Sequence, residues 1–144
     1  MRIKFLHVPK TAGMSIRSFL QRFFLSRHIC PATDNVEFLA LSPQQRRSYR
    51  LFASHFDWAH LDQIEGECFT FSILRRPQDR LVSYYFYLRA EGARLDGRSL
   101  ALDKNRGPHA ALTLPPDAFF CDGGTREVRK HLDAHFDNFY AYYF

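Results

Sequence analysis

The 144-residue chain has little cysteine: Cys30, Cys68 and Cys121 stand far apart and form no C-x-x-C pair. That argues against a disulfide framework and leaves reduced thiols as the simple expectation. No stretch reaches the roughly 20 apolar residues that cross a bilayer, and the N-terminus lacks the charged, apolar, small-residue order of a secretory signal. A soluble cytoplasmic chain with no membrane span is therefore expected. Internal repeats and low-complexity linkers are also missing.

What is present fits one domain over residues 1–144, since 46% of the residues are hydrophobic and 24% charged. Twenty Lys plus Arg against fifteen Asp plus Glu leave a net charge of +5, which favours an anionic partner. The chain carries fifteen Phe and seven Tyr. They imply a bulky core or faces awaiting a partner or more chain. The closing run Phe139, Tyr140, Tyr142, Tyr143, Phe144 favours the second option and a C-terminally truncated product.

Apolar and β-branched residues from Ile3 to Val8 predict a buried strand that ends at Pro9 and Gly13. From Ser15, a natural cap, Ile16, Phe19, Leu20, Phe23 and Phe24 recur at helical spacing, with Arg17 and Arg22 on the outer face. Residues 30–41 read as irregular, and Ser42-Pro43 opens a short helix through Arg50. Leu51 to Phe56 and Cys68 to Leu74 are two more strands; the near-continuous apolar run of the latter suits the middle of a parallel sheet. Pro77 to Gly92 is the clearest helix, with Leu81, Val82, Tyr85, Phe86 and Leu88 as its stripe. Residues 93–116 read as a surface loop and Thr125 to Phe136 as helical. Strands alternating with helices predict an α/β layered sheet.

The junction His7-Val8-Pro9-Lys10-Thr11-Ala12-Gly13-Met14-Ser15 sets a Lys, small residues and a hydroxyl between strand and helix. Free N–H groups and the helix dipole attract anions there, so the segment reads as a phosphate cradle. It is not a Walker A loop, in which Lys follows the second glycine. Here Lys10 precedes the glycine, and the third strand ends in Arg75-Arg76-Pro77 where an ATPase would place its metal carboxylate. A guanidinium at Arg75 and a hydroxyl at Ser83 form a second candidate anion site. His55 ends the second strand, on the edge where carboxyl ends of parallel strands gather.

Together, Pro-Lys-Thr-Ala-Gly and Arg-x-Pro-x-x-Arg-Leu-Val-Ser-Tyr-Tyr resemble the 5′-phosphosulfate loop and 3′-phosphate motif of sulfotransferases that use 3′-phosphoadenosine 5′-phosphosulfate, PAPS. The wording is nearest to the carbohydrate branch, of heparan and uronyl 2-O-sulfotransferase type, over about residues 3–90 and the Asp137-Asn138 segment. The resemblance implies a P-loop-like parallel sheet flanked by helices. In it Lys10 contacts the 5′-phosphate and bridging oxygen, Thr11, Ala12, Gly13, Met14 and Ser15 wrap the phosphosulfate, and Arg75 and Ser83 hold the 3′-phosphate. Met14 departs from a position where relatives carry a hydroxyl, and Arg76 from one where they carry an acid. His55 is the implied general base, with His60 as fallback; His7 orders the loop. The implied acceptor is a hydroxyl-bearing saccharide, an anionic one suiting the positive surface, with no metal required.

Three rivals stand beside this reading. One is a catalytically incomplete fragment that binds PAPS or its product. Another is a basic nucleic-acid-binding domain, against which the Arg and aromatic residues follow core and loop periodicities instead of a stripe. The third is a zinc site at Cys121, His131 and His135, whose i, i+4 imidazoles lack an adjacent fourth ligand.

Overall fold

A computed structural model describes residues 1–122, 126–137 and 139–144. The chain divides into two units, one of residues 1–75 with 140–144 and one of residues 76–139.

The first unit holds a parallel sheet of β1 (Arg2–Leu6), β2 (Leu51–Ser54) and β3 (Cys68–Ser72) in the order β2-β1-β3. Phe5 pairs with Ala53 on one side and Phe71 on the other. Side chains alternate across a strand, so Ile3, Phe5, Leu51, Ala53 and Phe71 share a face. Ile16 and Leu20 of α1 (Gly13–Gln21) pack on it. On the opposite face Phe52 meets Phe38 of α2 (Asn35–Ala40), their ring centroids 6.3 Å apart, and Phe38 meets Phe56 at 5.3 Å. Helix α2 arises within the stretch expected to be irregular, because Asp34 caps it through the Glu37 N–H. Helix α3 (Pro43–Ser48) starts on a Ser42/Gln45 capping box, and Asp57 caps α4 (Trp58–Asp62).

Cys68 to Leu74 corrects an expectation. Its apolar run predicted a central strand, but β3 is an edge, Phe69 is 56% exposed, and the short β1 takes the middle. An apolar run signals burial on two faces and does not say which neighbours provide it.

The second unit is helical: α5 (Pro77–Gly92), α6 (Gly97–Leu100), α7 (Arg106–Thr113) and α8 (Arg126–Phe136), with a π-turn at Ala118–Asp122. Its core joins Tyr84, Tyr85, Leu88, Ala110, Ala111, Phe119 and Leu132. Helix α5 keeps its expected bounds with a shifted stripe: Val82 and Phe86 are exposed, whereas Arg80 and Tyr84 are buried. Arg80 donates both terminal nitrogens to the His135 carbonyl at 3.1 Å and lies over the Phe139 ring. Residues 93–116 are not a loop, since they contain α6 and α7. Gly107 and Pro108 stand in the first turn of α7, where a missing N–H costs nothing. The short α9 (Phe139–Tyr143) returns Tyr140 and the residues after it to the first unit. No described helix is long and apolar enough to cross a membrane. Thr125 and Asn138 lie outside the described residues.

Candidate functional site at the carboxyl edge of the sheet

The strand order carries a consequence for binding. From β1 the chain moves to β2 on one side and then crosses to β3 on the other. The loops after β1 and β3 therefore flank a topological switch point, the position at which open parallel sheets leave a crevice. Lys10 follows β1 and Arg75 follows β3.

The loop after β1 is unusually constrained. Lys10 and Ala12 adopt φ of 69° and 68°, the left-handed region, although neither is glycine. Each such residue costs about 1–2 kcal/mol unless its surroundings enforce it. Thr11 helps to enforce it: its buried hydroxyl donates to the Val8 carbonyl at 2.8 Å. The Ala12 carbonyl accepts from the Ser15 N–H at 3.1 Å, so α1 begins at Gly13 with Ala12 as its cap. Ser15, expected as the cap, is instead an exposed first-turn residue, as is Met14. No side chain caps α1 and no acidic residue stands in its first turn, so this end of the helix remains suited to an anion.

Gly13 is required by a close approach. A Cβ there would stand 1.7 Å from Cδ2 of His7. The His7 ring is 3% exposed and stacks on His55 with centroids 4.3 Å apart. His55 Nδ1 lies 2.9 Å from the His7 carbonyl oxygen. A carbonyl only accepts, so Nδ1 carries the proton and Nε2 keeps the lone pair a base needs. The His55 main chain is pinned too, its N–H donating to the Thr33 carbonyl at 3.2 Å. His60 is committed differently: its Nδ1 lies 2.5 Å from Asp57, which also accepts from the His60 N–H and from Asn35. Burial pushes the Asp57 carboxyl up, but the His60 and Asn35 hydrogen bonds outweigh it and hold the group below its ordinary range.

The cations are spread along the edge. Burial lowers the pKa of Lys10, and the Arg75 guanidinium lowers it further, so the two charges feel each other. Arg75 is exposed, but the Tyr140 hydroxyl donates to its carbonyl at 2.6 Å and accepts from its N–H at 3.3 Å. Arg17 points inward instead of to the outer face: it donates to Ser54 Oγ at 3.4 Å, beside His55. Burial, then His55, then Arg17 pull the His7 pKa down to about 4. Neither Arg17 nor Arg75 joins an ion pair among the described residues.

Lys10, Thr11, Ala12, Gly13, Met14, Ser15, His55 and Arg75 thus all belong to the first unit, at or after the carboxyl ends of its strands. Ser83 is half-buried on α5 of the second unit. Sequence reasoning missed Arg17 and Tyr140. The only available signal for Arg17 was its place one turn into the helix that follows the loop.

Two concavities lie elsewhere. One, of about 210 Å³, is lined by Arg2, Arg46, Arg47, Gln63 and Glu65 in the first unit. Its Arg2 and Arg46 are spent on the carbonyls of Arg47, Leu39 and Leu41. The other, of about 630 Å³, lies in the second unit between α5 and α8. No group of three His, Cys, Asp or Glu among the described residues could hold a metal; the His131 side chain lies outside that description, and His135 stacks on Tyr84. No protein-family model, curated protein or solved structure matches the chain.

Proposed function

We infer that the chain is a P-loop-like sulfotransferase domain that binds PAPS and moves its sulfuryl group to a hydroxyl, on a saccharide acceptor. The observation that carries this reading is the placement of Lys10 after β1 and Arg75 after β3, on either side of the switch point of a parallel sheet, with His55 fixed at the end of β2. The strained loop and the uncapped start of α1 support it.

In this reading Lys10 and the loop N–H groups take the 5′-phosphate, and Arg75 takes the 3′-phosphate. The acceptor oxygen attacks sulfur, its proton passes to Nε2 of His55, and the bond from sulfur to the bridging oxygen breaks. Adenosine 3′,5′-bisphosphate leaves with the electron pair, and Lys10 stabilises the charge that grows on it. A leaving phosphate neutralised by protein cations needs no bridging metal in this scheme.

Titration calorimetry tests the binding half. Adenosine 3′,5′-bisphosphate should bind at least about tenfold more tightly than 5′-AMP, or roughly 1.4 kcal/mol, and Arg75→Ala should erase the difference. Equal affinities in the unaltered protein would remove the 3′-phosphate assignment. Retention on bisphosphate-agarose and loss from DNA-agarose at moderate salt separate this reading from nucleic-acid binding.

A further inference from the structure

Four aromatic rings lie in succession on the face of the sheet that α1 covers. Phe71 and Phe5 are 5.0 Å apart, Phe5 and His7 5.7 Å at 11°, and His7 and His55 4.3 Å at 26°. The register explains the row: Phe5 pairs with Phe71 and with Ala53, and two residues further along, His7 and His55 leave β1 and β2 side by side. His7 stands in the middle and cannot turn. Phe5 stacks on it from β1, His55 from the end of β2, and Gly13 of α1 closes its edge.

We propose that His7 is the positioning residue of His55: its flat ring fixes the plane of the His55 imidazole, while its main-chain oxygen accepts a hydrogen bond from Nδ1–H and leaves Nε2 as the one basic nitrogen. A neutral imidazole free to turn can carry its proton on either nitrogen. The stacked ring and the hydrogen bond act on the same imidazole and together hold one orientation and one tautomer. The charged and titratable groups that bear on His7 are Arg17 of α1 and His55 itself. Burial keeps His7 uncharged at neutral pH, so it does not oppose a proton arriving on His55.

The kinetic side of this inference rests on His55 as the base, but the tautomer does not. The test compares the unaltered protein with His7→Phe, which keeps a flat ring, and His7→Leu, which fills the space without one. Nitrogen-15 NMR of His55 should show Nδ1–H alone in the unaltered protein and in His7→Phe, and a mixture of tautomers in His7→Leu. In a sulfate-transfer assay kcat should fall about tenfold or more in His7→Leu and recover in His7→Phe, with nucleotide affinity unchanged throughout. A His55 that remains purely Nδ1–H in His7→Leu, with unaltered kcat, would overturn the proposal. So would loss of that tautomer in folded His7→Phe, which decides the matter if His7→Leu does not fold. An unaltered protein without turnover but with the expected spectra would sink the transfer reading and leave the positioning of His55 intact.

Discussion

A single methyl group at position 13 should disable the loop. The Cβ of Gly13→Ala would meet Cδ2, Nε2 and Cγ of His7 at 1.7, 2.0 and 2.5 Å. Carbon atoms rest about 3.5–4.0 Å apart, so relief needs a movement of roughly 2 Å. The ring is confined, because both Phe5 and His55 stack on it, so the start of α1 must move instead. Overpacking that only a backbone shift can relieve falls in the upper part of the usual range, about 2–3 kcal/mol, and the helix preference of Ala returns about 1 kcal/mol. The net loss is about 1–2 kcal/mol. Trp58, the one tryptophan, lies in the same unit and reports its unfolding in urea. With a slope near 2 kcal/mol/M, the midpoint should drop by about 0.5–1 M. Gly97→Ala is the control: its Cβ meets nothing within 4 Å, so circular dichroism should find it unchanged or slightly more stable. A Gly13→Ala protein with an unaltered midpoint and unaltered affinity for adenosine 3′,5′-bisphosphate would refute the packing argument.

Three further outcomes follow from the same contacts. His7 titrates near 4 in the folded chain against 6.5 when unfolded, so the unfolded chain binds the extra proton between those values. Its contribution is complete above pH 6.5 and is lost as pH falls to about 4, by about 3 kcal/mol; His7→Phe should flatten that part of the urea-stability profile, and an unchanged slope would contradict it. Arg17→Met removes a charge that lowers the His7 pKa, so NMR titration should find His7 protonating at higher pH; a lower midpoint would be the wrong sign. Tyr140→Phe deletes the hydroxyl that holds the Arg75 backbone, and should weaken adenosine 3′,5′-bisphosphate about fivefold while leaving 5′-AMP unchanged, as read by calorimetry.

The strand, loop and helix from β1 to α1 were legible because each depends on neighbours: an apolar β run, Pro9, then helical spacing. Pro77 and Gly92 bounded α5 for the same reason. Ser15 looks locally like the cap of α1, yet the helix starts at Gly13, since nothing local announces that Lys10 and Ala12 will accept a left-handed backbone. Residues 93–116 hid two helices because polar residues and Pro108 obscure short periodicities, and burial of Gly107, Ala110 and Ala111 compensates. Phe19 and Phe23 joined the helical pattern yet remain exposed, at 55% and 68%. Periodicity identifies a face without saying how much of it is covered.

The amino-acid order alone determined which residues could carry the chemistry. A lysine between a strand and a helix, an arginine before a proline and a histidine after an apolar strand are all short-range features. Only the tertiary structure decided that β1 lies between β2 and β3, and thus that residues more than sixty positions apart, Lys10 and Arg75, follow neighbouring strands. It also decided that His7 lies under His55 and that Arg17 turns inward. Strand order depends on pairings between distant segments, whose free energy no local window contains.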